Sequence, residues 1–589
     1  MASQRVDPPP TLRPAHVLIC GFVGLLPVLH SMFVDRYFMV PQQALLVLAL
    51  GILVAAAMTG SISWMKRESF WIKASLSMFS LMVVLLGISS ILGTDPRRSL
   101  VSDDHQGTSW IFWVLCLLLF GATLYLRAEI RDRVSKAVSI SAGVLVGLTA
   151  LWVIGGDAIQ EALVPVSREG IPLPGIGNSA YLGAFFGAAA LISAGRWIRS
   201  PRPRYRLLIL AAASVGLMVL TQSRVSMIAF AVCFVVGAWA SRHSEGKRII
   251  SITGALVVTG FIFQLFLVPN LSPPGSRGQN QDPEQGSAPS KFDPALISGG
   301  FDVRRGLWGA ALVTIANEPG LGVGANNFSY AYRKYATESN IRLAAQEPID
   351  EVNDAHNIAL EVAATGGIPA AIALMAMFGC VAWASKKSLL TGGVKTWAAL
   401  GALVLFAESM FQALNLVSIP LMLVLSGLAI PDRGGNDETG PSASKALRIV
   451  AAVPILAGLL VAGMLVYSDQ KLRTASLEWD ASVAASAVDG NPFCTVCLFE
   501  LGKIRRWDYV KEGKGTAEWA LEPNLRAIER HPLDSDTYVE LGGGLLFMKE
   551  PARAIGQFEK ALVLDPHSWL AGQGTAVALL RLERFSEAV

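Results

Sequence analysis

Charged residues are scarce in this chain. Asp, Glu, Lys and Arg make up 16% of its 589 residues, against roughly 25% in soluble domains, which excludes an ordinary water-soluble globule. No Gly-rich lysine loop of the kind that cradles nucleoside phosphates is present, so the chain shows no machinery for using cytoplasmic nucleotides. The loops between apolar blocks carry no Asp-x-Asp pair, no His-x-x-x-His and no Cys-rich stretch. No metal-ligand set is therefore apparent, and no cofactor is expected. Cysteine is rare. Cys20, Cys116, Cys233 and Cys380 lie in apolar blocks and read as packing residues. Cys494 and Cys497 form a lone Cys-x-x-C, a disulfide or a metal half-site, with no second pair or His cluster beside it. No cleavable signal is evident: Met1 to Pro14 is polar and Pro-rich, and the first apolar block is long enough to span. The net charge of +4 says little by itself, and no nucleic-acid partner is expected.

What the chain has is apolar length. Hydrophobic residues make up 52%, with a mean hydropathy of +0.47. They sit in blocks of about 17 to 22 residues, and about 20 cross a hydrocarbon core as a helix. In lipid the backbone must be satisfied within the segment, so each block reads as a helix. This gives an all-α polytopic membrane protein of about 13 spans, from Ala15–Phe33 to Ile449–Tyr467.

The basic residues are sorted by loop. Lys66, Arg67 and Lys73 mark one loop, and Arg127, Arg131, Arg133 and Lys136 the next basic one. Further sets fall at Arg196–Arg206, Arg242–Arg248, Lys386–Lys395 and Arg433–Arg448. All fall on one side of the array, which makes that side cytoplasmic. The Thr221–Arg224 turn, the long Pro269–Ala355 segment and the tail after Tyr467 then lie outside.

The long segment has two parts. Asn270 to about Ser290 is rich in Pro, Gly, Ser and Gln and reads as mobile. From Phe301, Leu307, Trp308, Ala311, Leu312 and Ile315 recur at helical spacing, and Pro319, Gly320, Gly322 and Gly324 end that helix in a tight turn. In the tail, Pro532 and Pro566 are 34 residues apart, as are Ala554 and Ala588. Tyr538–Pro566 reads as two amphipathic helices of a tetratricopeptide-like repeat. One and a half such repeats bury too little core alone, so either Trp479–Arg530 supplies degenerate companion helices or the chain is truncated at Val589.

A few polar residues stand out against the apolar background. Arg224 lies between two spans, either snorkelling to the interface or facing a water-filled cavity that takes an anion. Arg304 and Arg305 open the helix that carries Trp308. A helix start disfavours cations, so a bound anion such as a phosphate would offset the conflict, and a guanidinium suits bidentate contact with it. A solvated helix start is the bland alternative. His356 sits where the long loop meets the next span, and a lone His there is often structural. Its neutral-range pKa also suits it to take a proton from an attacking hydroxyl. Glu361 lies five residues on, inside the span, where a pore-lining structural role is equally open.

Taken together, these elements resemble the O-antigen ligase superfamily, which includes O-antigen polymerases and bacterial protein O-oligosaccharyltransferases. The resemblance rests on Thr221-Gln-Ser-Arg224, on Arg304-Arg-Gly-Leu-Trp308 leading into Asn317-Glu-Pro-Gly-Leu-Gly-Val-Gly-Ala-Asn-Asn-Phe328, and on His356-Asn357 opening the next span. Members often carry tetratricopeptide repeats at the C-terminus. They usually show Glu-x-Gly-x-x-Gly after the His-Asn pair. Here Thr365 stands in place of Glu and Ala370 in place of the last Gly, while Gly367 is kept. A role for that Glu would be missing or would fall to Glu361, and Arg305 is a possible substitute for Arg304.

The resemblance implies a metal-independent glycosyltransferase of the bacterial cytoplasmic membrane with an undecaprenyl-diphosphate-linked glycan as donor. The fold implied is that of lipid-linked glycosyltransferases. Arg224 and Arg304 would hold the diphosphate and His356 would activate the acceptor hydroxyl, with Arg305, Trp308, Asn357 and Glu361 as substrate-binding candidates. The acceptor would be lipid A core, another lipid-linked glycan or a protein. Membrane lipid surrounds the spans, and the repeat tail is a candidate site for a protein partner. The expected organisation is a cytoplasmic segment 1–14, a first transmembrane bundle 15–268, an extracytoplasmic catalytic loop 269–355, a second transmembrane group 356–467 and an extracytoplasmic helical tail 468–589. A transporter or flippase, or a repeat-bearing scaffold, are the alternatives. No convincing internal repeat supports the first, and a scaffold leaves the Arg/Arg/His set unexplained.

Overall fold

The computed structural model describes residues 14–29, 39–58, 70–101, 108–154 (without 125 and 127), 179–267 (without 203), 294–344, 352–430 (without 392) and 445–587. The Asn270–Ser290 segment expected to be mobile lies outside the described residues. Among the described residues every regular element is a helix. The first are α1 (Pro14–Leu25), α2 (Met39–Met58), α3 (Phe70–Leu92), α4 (Pro96–Val101), α5 (Trp110–Leu124), α6 (Ala128–Ile154), α7 (Ser179–Ile198), α8 (Tyr205–Leu220) and α9 (Arg224–Ile262). α10 (Pro294–Asn317), α11 (Phe328–Tyr335) and α12 (Glu338–Ala344) follow. Then come α13 (Ile358–Thr391), α14 (Val394–Ser409), α15 (Ser418–Ala429) and α16 (Lys445–Glu478). The tail holds α17 (Ala481–Gly490), α18 (Thr495–Glu512), α19 (Ala517–Arg530), α20 (Ser535–Phe547), α21 (Pro551–Leu564) and α22 (Trp569–Arg581).

Eight stretches among the described residues are long and apolar enough to cross a bilayer, α9 supplying two of them on either side of a kink at Glu245. Shorter apolar helices occur at Trp110–Leu124, Tyr205–Leu220 and Ser418–Ala429. The chain is thus an all-α multi-pass membrane protein, as the apolar blocks implied, and among the described residues several of its apolar helices are shorter than a full span. The short length of one of them has a physical reason. α15 is buried along its whole length, so its ends meet protein rather than lipid, and unwound backbone is tolerated there.

At the centre stands α7, whose spanning stretch is entirely buried. Its sequence, Gly-Ala-Phe-Phe-Gly-Ala-Ala-Ala, offers small side chains, which let membrane helices approach closely. Gly195 of α7 and Gly237 of α9 flank the fully buried Trp397 of α14, and a Cβ at either would overlap its ring. This packs α7, α9 and α14 together. At the same end as several basic loops, Arg131 binds two helix termini. Its guanidinium donates to the carbonyls of Leu124 (3.0 Å), Leu126 (2.9 Å), Gly427 (3.1 Å), Leu428 (3.2 Å) and Ile430 (2.7 Å). These are the C-terminal carbonyls of α5 and α15, which have no partner within their own helices.

In the tail, side-chain caps start most helices: Asp480, Thr516, Asp534 and Ser568 each accept a backbone N–H of the following turn. Phe558 of α21 is buried between Gly542 of α20 and Gly574 of α22, where a side chain on either glycine would overlap its ring. The stretch 479–530 supplies three helices, of which α18 and α19 share a core with these while α17 packs with α16, α18 and α19. Cys494 and Cys497 form a disulfide at the start of α18, the first of the two readings of that pair.

Candidate active site at one end of the bundle

The turn between α8 and α9 is built by its hydroxyls. Thr221 donates to the Met218 carbonyl at 2.7 Å, Gln222 adopts a left-handed φ of 53°, and Ser223 caps α9. Arg224 is thereby the first residue of α9 and half-buried. Two residues on, the Ser226 hydroxyl donates at 2.7 Å to the carboxylate of Glu408, a fully buried acid in the last turn of α14.

The residues after Glu408 form a hub. The Phe411 carbonyl accepts from Arg304 Nε at 2.7 Å, and the Met410 carbonyl accepts from the Asn357 side-chain amide at 3.0 Å. The Leu414 N–H donates to Asp354 Oδ2 at 2.8 Å. The end of α14 has orphan carbonyls by construction. Here they tie α10 and the start of α13 to one place, and the Glu408 carboxylate adds the first turn of α9 through Ser226. Arg304 and the Asp354–His356 pair, far apart in sequence, meet at Glu408–Leu414, and Arg224 opens the helix whose Ser226 bonds Glu408.

Arg304 and Arg305 part company. Arg304 turns to the hub, and its charge reaches both His356 and Glu408. Arg305 is exposed and pairs with Asp302 at 3.2 Å one turn back. Trp308 lies between Phe301 (6.1 Å between ring centres) and Phe411 (5.9 Å), and its buried indole N–H has no hydrogen-bond partner among the described residues.

His356 has a left-handed φ of 51°, an uncommon conformation for a residue with a side chain. Asp354 holds it there. Oδ1 of that carboxylate accepts the His356 backbone N–H at 2.8 Å and faces ring Nδ1 at 2.9 Å. Burial works against a charged His356, but the Asp354 carboxylate more than offsets it, and the pKa lies above its ordinary 6.5 despite the nearby Arg304. With Nδ1–H donated to Asp354, Nε2 is left as the basic atom. The His356 side chain keeps 27% exposure while Asp354 keeps 3%, so the ring, not the acid, meets solvent. Asn357 caps α13 through its side-chain oxygen, accepting the N–H groups of Ala359 and Leu360 at 3.0 Å each. Glu361 turns back to accept the Ala355 N–H at 2.9 Å, which braces the residue before His356. Thr365, at the position of the family Glu, donates its hydroxyl to the Glu361 carbonyl at 2.7 Å.

The glycine pattern acts nearby. α13 breaks at Gly367, whose φ of 81° and ψ of 166° are open essentially only to glycine. A Cβ there would overlap the Gly320 carbonyl. The carbonyls freed by the break are taken up by the Gly-rich turn: Val323 N–H binds Ala364 O at 3.1 Å and Gly324 N–H binds Thr365 O at 2.9 Å, while Ser89 of α3 adds its hydroxyl at 2.6 Å. Ile368 N–H returns to Pro319 O at 2.9 Å. The turn is thus a clamp on the broken helix.

Asp354 and Glu408 were not singled out from sequence. Asp354 sits two residues before His356, a spacing that carries a weak signal. Glu408 is one acid in an apolar helix, and that burial is the signal it offers. A family model described as O-antigen ligase matches residues 207–375, a stretch that includes Arg224, Arg304, His356 and the break at Gly367. No curated protein matches the chain.

Proposed function

Because this chain belongs to the O-antigen ligase superfamily through its residues 207–375, we propose that the hub-centred site transfers a glycan from an undecaprenyl-diphosphate carrier to an acceptor hydroxyl. Glycan transfer of the O-antigen ligase or polymerase type is the general activity of the family. The observation that carries the specific reading is the Asp354–His356 pair held beside Arg304 on the end of α14.

In this reading Arg224 and Arg304 bind the donor diphosphate and stabilise it as it leaves. His356 Nε2 takes the proton of the acceptor hydroxyl. The acceptor oxygen bonds to the anomeric carbon, the bond from that carbon to the diphosphate breaks, and the lipid diphosphate departs. Trp308 flanks the donor while Arg305, paired with Asp302, stands back from it; Asn357 fixes the ring's backbone, and Glu361 supports the turn from behind. Two guanidinium groups meet the leaving charge, so transfer persists with a metal chelator present. The site faces the outer side of a bacterial cytoplasmic membrane, with loop 269–355 and tail 468–589 on that side and segment 1–14 on the other. The contacts of the tail with loops at this end favour that topology.

The acceptor we favour is lipid A core, as in a ligase; another lipid-linked glycan makes the chain a polymerase, and a Ser or Thr hydroxyl makes it a protein O-oligosaccharyltransferase. Deleting the gene separates these. Loss of capped lipopolysaccharide marks the ligase, shortened chains the polymerase and unmodified protein the third. Unchanged surface glycans and glycoproteins, with altered lipid-carrier distribution, would favour a flippase instead.

A further inference from the structure

The tail is fastened to the site-bearing end by buried charge. Arg333 of α11 forms ion pairs with Asp534 at 2.7 Å, Asp536 at 2.6 Å and Asp565 at 3.7 Å, all on the tail. Arg333 and Asp534 are each 15% exposed. Beside them, Asp95 in the loop after α3 faces His531 at 3.4 Å, and the Arg98 guanidinium lies over the Tyr330 ring at 4.9 Å. Burying charges costs several kcal/mol per ion unless the geometry is good. A tail on a loose tether would leave them in water, so this geometry marks a fixed docking surface.

A second face of α11 packs behind the site. Phe328 is buried with Ala311, Ala355 and Ala364, and Tyr332 packs against Val303 and Leu307. Val303 adjoins Arg304 and Ala355 adjoins His356. Arg333 therefore holds the tail with one face of a two-turn helix, a second face of which supports the backbone of both residues.

We propose that the tail acts in cis as a structural half of the transfer site, with Arg333 as a positioning residue. Docking on Arg333 fixes α11, and α11 fixes the spacing of Arg304 and His356. The proposal rests on the transfer reading for its activity readout, while tail docking is measured independently.

The test compares full-length wild type, Arg333→Asp, Arg333→Lys and the reversed pair Arg333→Asp/Asp534→Arg in membranes. Tail docking is read by amide hydrogen exchange at residues 328–335 and 531–547, and transfer by kcat and donor KM. Arg333→Asp raises exchange in both segments and lowers kcat by about tenfold or more, since small misplacements of reacting groups are amplified, with donor KM within about twofold. Arg333→Lys, which keeps the charge but not the forked contacts, recovers both in part, whereas the reversed pair sets a carboxylate beside Asp536 and Asp565 and recovers neither. The inference is overturned if Arg333→Asp frees the tail yet transfers like wild type, or if exchange stays at the wild-type level. A wild type that transfers no glycan while its tail is protected sinks the transfer reading and leaves docking standing.

Discussion

The carboxylate of Asp354 ties the hub to the ring: Oδ2 accepts from Leu414 and Oδ1 faces His356. Its charge raises the His356 pKa above 6.5. A base must be neutral to act, so transfer rises with pH through a value above that figure. Removing the charge leaves burial dominant. Asp354→Asn therefore moves the limb to lower pH and lowers the plateau about a hundredfold, the scale of a general base. A pH–rate profile checks this, and an unmoved limb contradicts it. Gly367 is a second single-residue test. Gly367→Ala meets both a glycine-only backbone and the Gly320 carbonyl, costing about 1–3 kcal/mol from the backbone alone. Thermal unfolding in detergent should show a clear drop in midpoint.

At the scale of elements, the helix ends do more than the helix middles. Arg131 saturates the termini of α5 and α15 at the end away from the hub. Arg131→Ala leaves several carbonyls without it, each costing about 1–3 kcal/mol if left buried and unpaired. Lys has three donors on a point charge and cannot span the set. Both variants should melt at lower temperature while folded protein keeps its kcat and donor KM. A large kcat loss at full stability would mean this end communicates with the site. The apolar blocks were legible because their chemistry is local and repeated. Their lengths were less so, since a buried helix such as α15 need not reach lipid at both ends. The Gly-rich turn was legible as a turn. Its role as a clamp on α13 was not, because Gly322 and Gly367 meet only after folding.

Across the whole molecule, chemistry-bearing residues were legible where the local context was incongruous. His356 at a span boundary is of that kind, whereas Arg304, read from sequence as a helix start, lies inside α10, which begins at Pro294. Glu408 and Arg333 were missed because their meaning lies in partners 182 and 201 residues away. The docked tail carries its own pH signature. Burial raises the Asp534 carboxyl, but Arg333 and Arg98 bring it below its ordinary value; Asp95 is likewise lowered against burial by His531 and Arg98. Depressed carboxylates contribute stability above their unfolded values, lost as pH falls through the folded ones. Tail protection from protease should thus hold at neutral pH and weaken below the ordinary carboxylate range near 3.8. Weakening only on the alkaline side would contradict the ion-pair account.

The central claim is that the hub gathers the residues that transfer glycan. Its most direct measurement uses purified protein in bilayers with an undecaprenyl-diphosphate-linked glycan and lipid A core acceptor. Wild type transfers the glycan, whereas Arg304→Ala and His356→Ala insert and fold normally and transfer none. Full activity in both variants would contradict the account.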